Sequence, residues 1–153
     1  MKSLETKIPA PVVAAILGGV MKFYALSAHI QIDASPLLET IGVKFAELSA
    51  LIALSAFVSF WFAKTTINPL DPSQASALVT SGIFRITRNP MYLSLLLLLI
   101  AYTIRLGSWV EGIGPILFAA YVTRFQIIPE ERILSEKFGS AFLAYMSRTR
   151  RWI

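Results

Sequence analysis

The chain has 153 residues, 56% hydrophobic and only 15% charged, with a formal charge of +5 and a mean hydropathy of +0.65; this is far too apolar for a soluble domain of its size. Cysteine is absent and His29 is the only histidine, which excludes disulfides, cysteine nucleophiles and thiolate centres, and argues against a histidine-based metal site. The positive charge suits cationic loops facing an anionic leaflet, and no nucleic-acid module is visible.

The first apolar run extends from Pro9 to about Ile30 and predicts a membrane span with prolines at its start, where a missing amide donor costs a helix little. It lacks the short apolar core and small-residue cleavage site of a signal peptide. Lys22 lies within it, either snorkelling, contacting a headgroup or pairing with Glu47. Residues Gln31 to Lys44 read as a polar connection, and Phe45 to Ala63 as the second span, ending in a belt of Phe57, Phe60, Trp61 and Phe62. The segment from Lys64 to Leu78 is rich in Pro, Ser, Thr, Asn and Asp and reads as a loop.

That loop leads into Thr80 to Tyr92, TSGIFRITRNPMY, a polar stretch set against the most apolar run of the chain. Hydrogen-bonding groups in that position are costly unless they face water, a headgroup or a ligand, so the stretch reads as a binding loop. Met91 to Ile104 is short for a span, reaching about 21 Å as a helix. It reads as one arm of a hairpin turned by Gly107 and Gly112, with Ile113 to Ile128 returning. The tail places Ile133, Leu134, Phe138, Phe142, Leu143 and Tyr145 at amphipathic spacing, interrupted at Gly139. Trp152 and the arginines 148, 150 and 151 suit a membrane surface.

The expected fold is all-α, a multi-pass membrane protein of about four transmembrane helices with a C-terminal hairpin and an amphipathic C-terminal helix. It forms one domain over residues 1–153: two N-terminal spans (1–63), a loop (64–92), the hairpin (89–128) and a tail (129–153). Four crossings place both termini and the loop on one side, where eleven of the fourteen Lys and Arg lie. The excess of basic residues assigns that side to the cytoplasm.

The hairpin brings the end of the binding loop beside the start of the tail, so that Arg88, Asn89 and Tyr92 converge on Glu130 and Glu131. The alternative is a plain ion pair at a helix end, which contributes little. Taken jointly, L-V-T-S-G-I-F-R-I-T-R-N-P-M-Y at Leu78 to Tyr92 and E-E-R-I-L-S-E-K-F-G at Glu130 to Gly139, followed by Tyr145 and a basic tail, resemble the isoprenylcysteine carboxyl methyltransferase and phospholipid methyltransferase families of integral membrane enzymes. A two-part motif at this spacing is more specific than a single short match.

The resemblance implies S-adenosylmethionine as methyl donor and a hydrophobic acceptor reached from the bilayer; no metal ligand is assigned, in keeping with the absence of cysteine and the single histidine. The acceptor is an isoprenylcysteine-like carboxylate or a lipid amine. The donor carries a sulfonium, an ammonium and a carboxylate, so its site needs acidic and basic groups with an apolar wall. Glu130 and Glu131 are assigned to its cationic parts or to fixing Arg88, and Arg88 with Asn89 to its carboxylate or ribose. Leu78, Val79, Gly82, Phe84 and Pro90 complete the cofactor-binding set, Tyr92 caps it, and Glu131, Arg88 and Tyr92 are the catalytic candidates. Gln126 stands where carboxyl methyltransferases carry an arginine, and many relatives have His at the position of Asn89. Two rival readings are a membrane reductase binding NADPH in the same place, and a non-catalytic lipid-binding subunit. The oligomeric state is left open.

Overall fold

The computed structural model describes residues 5–28, 35–63, 76–107 and 109–153. Most of the expected loop, residues 64–75, lies outside them. Six α-helices follow in order: α1 (Ala10–Ser27), α2 (Pro36–Ala63), α3 (Pro90–Leu106), α4 (Ile113–Val122), α5 (Ile128–Phe138) and α6 (Ser140–Arg148). Single tight turns occur at Gly82–Arg85 and Trp109–Gly112. The described residues contain no strand, only one bridge between Thr87 and Arg150.

Helices α1 and α2 are long and apolar enough to cross a membrane, and α3, with 17 residues, is shorter. Helix α2 begins well before the expected Phe45. The polar residues taken for a connection are the start of the helix: Ser35 accepts the Leu38 N–H at 3.4 Å, Pro36 opens the first turn and Glu39 places an acid there. This is the chemistry of an N-terminus, and polarity alone conceals it. Glu47 forms its ion pair with Lys44 at 2.8 Å on its own helix and not with Lys22, which is exposed on α1.

Helix α3 is the axis of the bundle. Helix α2 packs along it, and α1 and α4 pack against it and each other. The close approaches are made by small residues: Gly42 lies against the Ala101 carbonyl, and Gly114 of α4 against Met21 of α1. The Ser49 hydroxyl donates to the Ser94 carbonyl at 2.7 Å, joining α2 to α3. The first core cluster includes Met21, Tyr92, Leu99, Phe118 and Ile127, with Trp152 packed on it from the tail.

Helices α4 and α5 form one continuous rod whose middle, Thr123–Ile127, is a wide π-type turn. Pro129 explains it. Proline has no N–H for the carbonyl four residues earlier, and its ring crowds that carbonyl. The carbonyl belongs to Phe125, and it instead accepts the Thr6 N–H at 2.9 Å. The chain before α1 is held there by three further contacts. Gln126, fully buried, donates to the Ile8 carbonyl at 2.7 Å, and Glu5 meets Arg124 and Arg132 at 3.3 and 3.4 Å.

Candidate functional site

The site forms where α3 begins and α5 leaves the wide turn. Pro90 occupies the first turn of α3 and Asn89 its N-cap, although the Asn89 side chain does not cap the helix. It donates instead to the Arg151 carbonyl at 2.8 Å. The Arg88 N–H donates to the Arg150 carbonyl at 3.0 Å. Thr87, fully buried, accepts the Asn89 N–H at 3.1 Å and donates to the Arg151 carbonyl at 3.3 Å. Three consecutive residues before α3 thus grip the segment after α6.

Arg88 extends the grip. Its Nη1 donates to the carbonyls of Thr149 (2.7 Å) and Met146 (3.1 Å), the last turn of α6 and its exit. Its Nη2 meets Glu131 at 2.6 Å, with the two side chains 10% and 13% exposed. Arg151 closes on the same carboxylate with both its Nε (3.1 Å) and its Nη2 (2.6 Å). Burial opposes ionisation of Glu131, but hydrogen bonds and charge from Arg151 and Arg88 outweigh it and hold the carboxyl below its usual range. Glu131 is therefore a neutralised anchor between two arginines.

Glu130 differs. It accepts the Tyr92 hydroxyl hydrogen bond, and no basic side chain pairs with it among the described residues. Burial pushes its carboxyl up to about 7, against the lowering effect of the Tyr92 hydrogen bond and with a smaller push from the neighbouring charge of Glu131. Two adjacent carboxyls thus have opposite tendencies, one locked as an anion and one able to exchange a proton near neutrality, a separation that marks functional sites.

The remaining candidates stand apart. Val79 and Phe84 belong to a second cluster with Ala56 of α2 and Phe142 and Tyr145 of α6, and Leu78 packs on it. The Phe60 ring meets Phe84 edge-on at 5.1 Å, and the Tyr145 hydroxyl donates to the Phe84 carbonyl at 2.7 Å. Gly82 adopts φ +61, with Ser59 so near that a Cβ would meet its Oγ at 2.8 Å. The side chains of these residues pack the loop between α2 and α6, while Arg88, Asn89, Tyr92, Glu130 and Glu131 converge.

Sequence reasoning passed over Arg151, whose charge alone says only that the tail is basic, and Thr87. It also passed over the carbonyls of Met146, Thr149, Arg150 and Arg151, since backbone acceptors leave no trace in residue identity. Arg132, next to the glutamates in sequence, turns to Glu5.

The sequence profile of phospholipid methyltransferases matches residues 38–141, from the start of α2 into α6, which takes in Arg88, Asn89, Tyr92, Glu130 and Glu131 but not Arg151 and the tail carbonyls. The chain belongs to that family. A Haemophilus influenzae protein described as uncharacterized is 44% identical over 63 residues, 41% of this chain and 100% of its own length. No solved structure matches. Family membership, with two helices able to cross a bilayer, makes this a membrane protein of methyltransferase type.

Proposed function

We propose that the protein transfers a methyl group from S-adenosylmethionine to a hydrophobic, membrane-partitioned acceptor, an isoprenylcysteine-like carboxylate or a lipid amine. Helices α1, α2 and α3 and the α4 segment form four spans, with both termini and the site on the cytoplasmic side. The observation that carries the reading is the pairing of Tyr92 with Glu130 beside the neutralised Arg88–Glu131–Arg151 cluster, in a chain of this family.

The residues fit the cofactor. A cationic ligand needs an acceptor that arginine has not already neutralised, and Glu130 is that carboxyl. Arg88 retains a buried Nε without a partner, a donor for the carboxylate or ribose. Bound there, the cofactor supplies an electrophilic methyl on a sulfonium. Glu130 and Tyr92 hold one side of the site and keep a proton between Glu130 Oε1 and the phenol oxygen, available for exchange with an amine acceptor. Glu131 positions Arg88 and Arg151. Trp152 packs from the tail onto the core cluster that includes Tyr92, and a displacement of this kind needs alignment and desolvation more than covalent catalysis.

Calorimetric titration of the detergent-purified protein with S-adenosylmethionine and S-adenosylhomocysteine tests the reading. Saturable binding of both is expected, with Glu130→Gln weakening adenosylmethionine more, because only that ligand carries the sulfonium charge. Absence of binding by folded wild-type protein would sink it. Labelled-methyl transfer into a lipid extract then identifies the acceptor.

A further inference from the structure

Helices α1 and α2 both pack on α3 and leave an open groove of about 470 Å³ between them. Gly18 lines one wall, Gly42 and Ala46 the other, and Leu99 part of the floor. The lining is apolar except at one end, where Glu39 and Arg105 face the groove. Both are exposed, and neither has an ion-pair partner among the described residues, in contrast to Lys44 and Glu47 nearby on α2.

An apolar trough ending in one unpaired anion and one unpaired cation is complementary to a molecule with an apolar chain and a head bearing both charges. The α3 residues along the floor run from Leu95 to Arg105, about 15 Å of helix, the depth of one leaflet's hydrocarbon. Arg105 lies in the last turn of α3 and Tyr92 in its first, which separates the charged end of the groove from the Tyr92–Glu130 site by about 20 Å. A lipid whose head sits at Glu39 and Arg105 therefore cannot present that head to the site.

We propose that this groove is a binding site for a resident zwitterionic glycerophospholipid, with its phosphate on Arg105, its ammonium on Glu39 and an acyl chain along Leu99. The lipid is a bound ligand distinct from any methyl acceptor, filling the space that α1 and α2 leave uncovered. The ion pairs lie at the membrane interface, where each adds modestly to affinity and together they select the head.

Native mass spectrometry of the detergent-purified protein, without any methyl donor, provides the test using dioleoyl phosphatidylethanolamine and dioleoyl phosphatidylglycerol. Retention of the ethanolamine lipid is expected to exceed that of the glycerol lipid about fivefold. Glu39→Gln should abolish that preference, Arg105→Gln should weaken both lipids, and Ala46→Phe should displace both by filling the wall. Circular dichroism melting confirms that each variant is folded. Equal retention of the two lipids by the wild type, or retention unchanged in all three folded variants, overturns the proposal. Loss only in Tyr92→Phe or Glu130→Gln would identify the bound lipid as the acceptor and overturn it equally.

Discussion

The Tyr92 hydroxyl donates to Glu130 across the junction of α3 and α5, while Glu131, the next residue, is claimed by Arg88 and Arg151. Because Glu130 ionises only near 7, affinity for a cationic methyl donor should rise as pH increases from 6 to 8. Glu130→Gln should bind weakly at every pH. Calorimetry across that range checks it, and a wild-type affinity independent of pH would contradict the assignment.

Stability should run the other way. The Glu130 carboxyl is raised from an ordinary value of 4.5 to about 7, so folding favours its neutral form. That contribution is full below the unfolded value and is lost as pH rises through 7, by about 3 kcal/mol. Glu131 is depressed, so its contribution is present above its ordinary value and lost as pH falls through its folded one. Without ligand, the melting temperature should fall between pH 5 and 8, and Glu130→Gln should flatten that slope.

Arg88→Ala removes one partner of a buried ion pair and strips donors from the Met146 and Thr149 carbonyls. A loss of about 3 kcal/mol is expected, with the tail released before the bundle melts. Limited trypsin digestion followed by mass spectrometry should show faster cutting at Arg148, Arg150 and Arg151. Arg88→Lys should not rescue, since a single ammonium lacks the planar fork that reaches Glu131 and both carbonyls together.

Gly82→Ala forces a side chain into a positive-φ position and against Ser59 Oγ. A destabilisation of about 2 kcal/mol is expected. Adding Ser59→Ala should recover only part of it, because that change relieves the clash and leaves the backbone strain. A thermal-melt double-mutant cycle measures both.

Gln126→Leu leaves the Ile8 carbonyl without its buried donor. A cost of about 1 to 2 kcal/mol is expected, together with faster hydrogen exchange at the Thr6 amide, whose partner is the adjacent Phe125 carbonyl.

The parts of the site legible beforehand were those written in side chains at fixed spacing: Arg88 and Tyr92 on one motif, Glu130 and Glu131 on the other. The break at Gly139 was legible for the same reason, and the helices on either side of it end and begin there. Hidden were the backbone acceptors of the tail and the choice each glutamate makes between arginine and tyrosine. The start of α2 was misjudged because Ser35, Pro36 and Glu39 look the same whether they cap a helix or fill a loop. Leu78, Val79 and Phe84 illustrate a different ambiguity: apolar residues next to a polar motif serve equally as a ligand wall or as packing, and the fold uses their side chains against α2 and α6.

The wide turn at Thr123–Ile127 also sets the angular phase of everything after it. Each residue of an α-helix advances the direction of its side chain by about 100°. The wide turn already holds one residue more than ordinary turns would, so inserting another between Thr123 and Ile127 would swing Glu130 and Glu131 around the axis of the rod, away from Tyr92 and Arg88. Length in those five residues is thus a determinant of chemistry independent of their identity, and insertions there should be far less tolerated than substitutions.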